Sequence, residues 1–144
     1  MSAKYGRPIV VGVNETLASQ VALSWAVDEA KLRRRPLHVV GAMGWAELSA
    51  VSAWPAIPPE MPPSREAREA HQRAVDYATS QLSSDLVSGE FVSGSPLAAL
   101  RATSASAELV VVGSRGRGRV VGAVLGSVSQ SLLSQAGCPV AVLH

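Results

Sequence analysis

Two stretches of this sequence are continuously apolar over the length of a β-strand. They are Ile9–Val13 (IVVGV) and Leu109–Val112 (LVVV). A strand with one face in water alternates apolar and polar residues, whereas a strand covered on both faces does not. Both stretches therefore predict strands inside a parallel sheet that lies between two layers of helices.

Segments with helical spacing separate the strands. The first helix is expected to follow the capping residue Thr16 and to end near Arg35, because a proline at 36 disfavours helix in the residue before it. Its predicted buried stripe consists of Ala18, Val21, Ala22, Trp25 and Ala26. Further helices are predicted after Ser64, over Leu97–Thr103 and over Val128–Ala136. Further strands are predicted at Leu37–Val40, in a short segment after Gly89 that includes Phe91-Val92, and at Pro139–Leu143. This order predicts an α/β fold, an open and mostly parallel five-stranded sheet with helices on both faces.

One long connection interrupts the alternation. Residues 41–63 contain Trp45, Trp54 and five prolines, a composition that predicts little regular structure. The sequence shows no internal repeat and no second hydrophobic unit. We therefore expect a single domain over residues 1–144.

Charge and composition argue against several classes of partner. The net charge of +2 is too small to indicate a nucleic-acid-binding protein. The basic run Lys31–Arg35 falls at a predicted helix end, where cations interact favourably with the helix dipole. No apolar stretch approaches the about 18 residues of a membrane helix, and the single cysteine, Cys138, cannot form an internal disulfide. We expect a cytoplasmic protein that binds neither nucleic acid nor membrane.

Glycines and small polar residues follow the two most apolar strands. Gly12-Val13-Asn14 ends the first strand, and Gly113-Ser114-Arg115-Gly116 follows Leu109–Val112. Gly126-Ser127-Val128-Ser129 then opens a predicted helix, whose free N–H groups and positive dipole end attract anions. Glycines let the backbone approach a ligand closely. Because ligands bind at the carboxyl ends of strands in open parallel sheets, these segments predict a phosphate-binding site.

The pattern Gly113-x2-Gly116-x9-Gly126-Ser127 resembles the ATP-binding signature of the universal stress protein family. The flanking segments are similar too, from Ile9–Val13 and Pro36–Val40 to Leu125–Leu133 and Cys138-Pro139-Val140. The resemblance covers nearly the whole chain. It implies a Rossmann-like fold that binds ATP, with Mg²⁺ bridging the phosphates, and it implies a regulatory, stress-response role rather than a dedicated enzyme.

The resemblance also implies a set of site residues. Those for adenine and ribose are Gly12, Val13, Asn14 and Ala42; those flanking ribose and phosphates are Val112, Gly113, Arg115 and Gly116; those for the phosphate chain are Gly126, Ser127, Val128 and Ser129. The family usually has aspartate where this chain has Asn14. An amide accepts a hydrogen bond from a ribose hydroxyl but lacks the charge of a carboxylate.

The sequence suggests no catalytic or metal-binding constellation. His38, His71 and His144 have no metal-ligand spacing. His38 is expected to be a core or edge residue, Cys138 a buried and inert thiol, and Ser127 has no evident neighbouring base.

Assembly is expected through the last strand. Pro139–Leu143 has no charge and no interior proline, so it can pair with a second copy and form a homodimer, as many members of the family do. The alternative interpretation is that the chain is a dimeric interaction module that binds no nucleotide and whose glycine loop is a relic.

Overall fold

Five strands and four helices alternate along the described part of the chain. A computed structural model describes residues 5–14, 17–42, 65–92, 94–114 and 127–144. The elements are β1 (Ile9–Val13), α1 (Leu17–Arg33), β2 (Leu37–Ala42), α2 (Arg65–Gln81), β3 (Val87–Val92), α3 (Pro96–Ser104), β4 (Leu109–Gly113), α4 (Ser127–Gln135) and β5 (Val140–Leu143), with a short 3₁₀ helix at Ser84–Leu86. The predicted caps Thr16 and Ser64 and residues 43–63 of the predicted loop lie outside the described residues.

The strands form one sheet in the order β3-β2-β1-β4-β5. Every neighbouring pair is parallel, so the predicted α/β class is confirmed. The chain builds the sheet outward from β1 through β2 to β3, and then returns to the other side of β1 to place β4. The topological switch point of the sheet therefore lies between β1 and β4, the two strands that the sequence marks as most apolar.

Alternate residues of the central strands enter two separate cores. On one face, Ile9 and Val11 pack with α1 and α2; on the other, Val10, Val110 and Val112 pack with Leu100 of α3 and Leu132 of α4. Both faces of β1 and β4 are thus covered, which is why neither strand has alternating polar residues. None of the described helices combines the length and the apolar character that a membrane crossing needs.

The predicted buried stripe of α1 is correct for Ala22 and Ala26, which are fully buried, but it is wrong in its orientation at Val21 and Trp25. Val21 is 41% exposed and Trp25 is only partly buried, whereas Leu23, Val27 and Ala30 are buried. The helix is apolar around a wide arc, so two adjacent stripes both satisfy helical spacing. Packing of α1 across β1 and β4 selects the second stripe.

The predicted start of β3 is also wrong. The strand begins at Val87, and it pairs with β2 from Leu37↔Val87 to Ala42↔Val92. Gly89, expected before the strand, lies within it, where a Cβ atom would be 2.8 Å from Val75 Cγ2 of α2. A polar and glycine-containing sequence becomes a strand here because β2 offers a complete edge for it to pair with.

Candidate functional site

The carboxyl ends of β1 and β4 lie side by side. The two strands pair from Ile9↔Leu109 to Val11↔Val111, so Val13-Asn14 and Gly113-Ser114 reach the same edge of the sheet. Ala42 ends β2 on the other side of β1, one residue beyond Gly41, the partner of Val13. The structure thus brings together, at the switch point, three of the segments that the sequence selects.

Several of the predicted site residues can offer a ligand only main-chain atoms. The side chains of Val13 and Val112 are buried in opposite cores. A Cβ atom on Gly12 would lie 3.1 Å from Leu100 Cδ1, so this glycine allows α3 to pack closely on β1. A ligand at these three positions would therefore be bound through backbone atoms rather than side chains.

Gly113 allows close contact between β4 and the first turn of α1. A Cβ atom built on Gly113 would lie 2.9 Å from the carbonyl carbon of Ala18 and 3.0 Å from its oxygen. These are backbone atoms, which cannot move aside as a flexible side chain would. The glycine that the sequence assigns to a ligand thus has a packing role of its own.

Ser19 holds the backbone of Asn14 in place, a role that the sequence analysis missed. The Asn14 N–H donates to Ser19 Oγ at 2.8 Å, and Ser19 is only 4% exposed. A serine in the first turn of α1, shortly after the strand end, is the one sequence signal for this contact. The hydrogen bond positions Asn14 at the mouth of the switch point.

The start of α4 is tied directly to the end of β4. Ser129 is 3% exposed, and its hydroxyl donates to the Gly113 carbonyl at 2.8 Å. The hydroxyl proton of Ser129 is therefore already donated within the protein. This hydroxyl could donate to a phosphate only after giving up its hydrogen bond to Gly113. What the bond does achieve is to place the first turn of α4, where N–H groups lack helical partners, beside Gly113.

The described residues at this edge contain no ionisable side chain, since they are Gly12, Val13, Asn14, Ala42, Val112, Gly113, Ser114 and Ser129. Recognition of an anion there depends on backbone N–H groups and on the dipole of α4. Arg115, Gly116 and Gly126 lie outside the described residues, as do the side chains of Ser127 and Val128.

Metal-ligating and thiol chemistry find little support in the described ranges. Within them, no group of three or more His, Cys, Asp or Glu side chains could hold a metal ion. Cys138 is partly rather than fully buried, which corrects the expectation of a buried thiol. Its partial burial still raises the pKa of the thiol, since burial penalises the thiolate, although the nearby backbone of Val110 opposes the effect.

Residues 6–144 match the sequence profile of the universal stress protein family. The chain is 38% identical over 143 residues to the universal stress protein Rv2005c of Mycobacterium tuberculosis. It is 34% identical over 145 residues to the universal stress protein Rv2623 of the same organism. Each alignment covers 94% of this chain but 47% of the relative, so the chain spans about half the length of these proteins.

Solved structures share the fold over nearly the full chain. The universal stress protein UspA from Lactobacillus plantarum superposes with a TM-score of 0.73 at 20% identity, covering 99% of this chain and 100% of that one. A universal stress protein in complex with cAMP gives a TM-score of 0.66 at 22% identity, covering 97% and 98%. One from Archaeoglobus fulgidus in complex with dAMP gives 0.64 at 22%, covering 97% and 99%. The solved structures show the shared fold, and the profile match over residues 6–144 together with the identities to these relatives shows that the chain belongs to the universal stress protein family.

Proposed function

We propose that this chain is a regulatory module that binds ATP at the switch point between β1 and β4. The observation that carries the proposal is the junction of three features: the end of β1 at Asn14, the end of β4 at Gly113, and the start of α4, fastened to Gly113 by Ser129. Universal stress proteins of the same fold have been solved with cAMP and with dAMP. Both ligands contain adenine and a phosphate, which supports an adenine nucleotide here.

The proposed ligand spans the edge of the sheet. Adenine and ribose would contact the backbone of residues 12–14 and Ala42, and the phosphates would meet Gly113 and the first turn of α4. That turn suits an anion because its N–H groups have no helical partners. Arg115, Gly116, Gly126, Ser127 and Val128 complete the proposed site on the strength of the sequence motif, and Mg²⁺ would bridge the phosphates. The cytoplasm remains the expected location.

Calorimetric titration of the purified chain with ATP, with and without Mg²⁺, tests this proposal. ADP, AMP and cAMP titrated in parallel rank the ligands and show whether the phosphate chain contributes. Gly116→Val and Gly126→Val should abolish binding, because each adds bulk where the motif is expected to approach phosphate. Gly94→Val is the matched control, since a Cβ at Gly94 would meet nothing within 4 Å.

The alternative function is a nucleotide-free interaction module whose glycine segment is a relic. What favours it is Asn14, which replaces the aspartate usual in the family and removes a charge from the proposed ribose contact. The two functions give opposite calorimetric results. No heat and no rise in melting temperature at millimolar ATP would reject nucleotide binding and leave the interaction module.

We also propose that two copies pair through β5. The strand lies at one edge of the sheet, and all four of its residues are partly exposed. Pairing about a two-fold axis would bring two β5 strands together antiparallel and satisfy their free backbone groups.

A further inference from the structure

Three polar side chains meet on one face of the sheet, away from the switch point. His38 of β2 is the register partner of Ser88 on β3, and Glu90 lies two residues further along β3, opposite Val40. His38 Nδ1 is 2.7 Å from Ser88 Oγ, and His38 Nε2 is 3.1 Å from Glu90 Oε1. The imidazole therefore bridges a hydroxyl and a carboxylate, at hydrogen-bond distance from both.

The carboxylate determines which nitrogen of His38 has the proton. An ionised Glu90 can only accept a hydrogen bond, so Nε2 must be the donor. In the neutral imidazole Nδ1 is then unprotonated and accepts the hydroxyl proton of Ser88. This is the arrangement of a nucleophile, a general base and an orienting acid.

The cluster is open to molecules from solvent. β3 is an edge strand; of the described helices on the face of His38, α3 packs over β1, β2 and β4, and α4 packs against α3 and β5. Helix α2 reaches β3 from the opposite face, where Val75 and His71 lie against Gly89. Ser88 is exposed, and the side chains of Glu90 and His38 are 43% and 19% exposed.

A backbone donor stands next to the hydroxyl. Ile9 is the register partner of Leu37, and its N–H donates to the carbonyl of the residue before Leu37, Pro36. The backbone groups of β2 point alternately to its two neighbours, so the even-numbered residues of β2 bond to β1 and the odd-numbered residues bond to β3. Because a residue in a parallel pair bonds to the neighbours of its register partner, the even-numbered residues of β3, which include Ser88 and Glu90, bond to β2. The N–H of Gly89 therefore points away from β2, adjacent to Ser88, and can donate to an oxyanion.

We propose that Ser88, His38 and Glu90 form a nucleophilic site that hydrolyses small, activated acyl esters. Ser88 Oγ forms a bond to the ester carbonyl carbon while His38 Nδ1 takes its proton. The carbonyl π electrons move to oxygen beside the Gly89 N–H. Collapse of this adduct re-forms the carbonyl and breaks the bond to the leaving oxygen. The proton on His38 passes to an alkoxide leaving group, or to solvent when the leaving group departs as a stable anion, so that Nδ1 can accept a proton again. Water then attacks the acyl-Ser88 with His38 again as base, and it releases the acid and restores Ser88. Glu90 holds the imidazole through Nε2 and acts as a positioning residue.

The test is turnover of p-nitrophenyl acetate, together with labelling by a fluorophosphonate probe followed by peptide mapping. We expect a burst of nitrophenolate and a label on Ser88. Ser88→Ala should abolish both, and His38→Ala should slow acylation about 100-fold, the usual contribution of a general base. Imidazole added to His38→Ala should restore part of the rate beyond the rate of imidazole and substrate without protein, and should not do so in Ser88→Ala, a pattern that a purely structural role for His38 would not produce. Glu90→Gln should lower kcat about tenfold, because the amide still accepts from Nε2 but has no charge.

Ser134→Ala is the matched control, since Ser134 is an exposed serine whose hydroxyl donates to a backbone carbonyl, that of Ser131. It should leave the burst and the label on Ser88 unchanged. A label spread equally over exposed serines, or a rate that His38→Ala does not change in a variant with an unaltered circular dichroism spectrum, would overturn the proposal. ATP titration of the same variants reports on the switch point alone, so the two sites can fail independently.

Discussion

At the scale of single residues, the glycines of this chain serve packing as well as any ligand. Gly12 lies against Leu100 of α3, and Gly113 lies against the backbone of Ala18 in α1. Each lets a helix approach a central strand more closely than a side chain would allow. A glycine at a strand end is therefore not by itself evidence of a binding site.

The first prediction separates packing from ligand binding at Gly113. Gly113→Ala should lower the free energy of unfolding by about 1–3 kcal/mol, since its Cβ would press on backbone atoms of Ala18. Gly94→Ala, in open space, should change it by less than about 0.5 kcal/mol. Urea denaturation without nucleotide measures both. Equal stabilities would mean that β4 and α1 are not in close contact.

The second prediction concerns the amide at position 14. If Asn14 contacts ribose, Asn14→Asp should tighten ATP binding by about tenfold, because a carboxylate accepts a stronger hydrogen bond. Asn14→Ala should weaken it. Calorimetry on the three proteins decides, and an aspartate variant that binds no more tightly would show that the amide already suffices.

At the scale of elements, the residue that follows α1 adopts a left-handed conformation although it is not glycine. Arg34 has φ of 55°. Around it, the Arg35 N–H donates to the Ala30 carbonyl at 3.0 Å and the Arg34 N–H to the Lys31 carbonyl at 3.3 Å, the bonding of a Schellman motif. The basic run lies at the end of the helix, as expected. Two ion pairs hold its side chains there, Arg33 with Glu29 at 2.8 Å and Arg35 with Glu108 at 3.0 Å.

The third prediction follows from this strained cap. Arg34→Gly should raise the free energy of unfolding by about 0.5–1 kcal/mol, because glycine adopts positive φ without a Cβ clash. Arg34→Ala removes the same charge but keeps the Cβ, so it should give little change. Thermal and urea unfolding would measure both, and a glycine variant no more stable than the alanine one would contradict the assigned backbone strain.

At the scale of the whole molecule, the sheet has two edges with different properties. The β5 edge is apolar, whereas the β3 edge includes Ser88 and Glu90 on the face where His38 joins them. The Pro139 carbonyl accepts from the N–H of Val110 in β4, and the Leu143 carbonyl accepts from the N–H of Ser114, the residue after β4. The alternate residues Val140 and Val142 therefore direct their backbone groups outward. The apolar β5 edge thus suits the proposed pairing with a second copy, and the polar β3 edge suits the proposed ester hydrolysis.

The fourth prediction uses this alternation. If β5 pairs with a second copy, Val142→Pro should give a monomer without unfolding the chain, since it removes an outward N–H and no bond to β4. Ala141→Pro, which removes a bond to β4, should instead destabilise the fold. Light scattering and circular dichroism distinguish the two results. A wild-type protein that is monomeric at tens of micromolar would reject the β5 dimer.

Features that depend on residues close together along the chain could be predicted from the amino-acid pattern. The apolar runs predicted β1 and β4, and the predicted helices Leu97–Thr103 and Val128–Ala136 agree with α3 and α4 to within one residue at each end. The spaced glycine motif, together with these elements, indicated the family correctly. These signals are local, because they come from burial on both faces, proline geometry and helix termination.

Features that depend on contacts between residues far apart in the chain could not be predicted and became visible only in the folded protein. The face that α1 buries was selected by its packing on β1 and β4. The start of β3 was set by β2, because β3 pairs with every residue of β2 from Leu37 onward. The polar cluster is the clearest case, since His38 and Ser88 are 50 residues apart. The sequence around His38 does not indicate that Ser88 is its neighbour, and the sequence around Ser88 does not indicate His38. Their contact exists because the crossover through α2 pairs β3 with β2 in one register, and a shift of one residue would turn Ser88 and Glu90 to the opposite face.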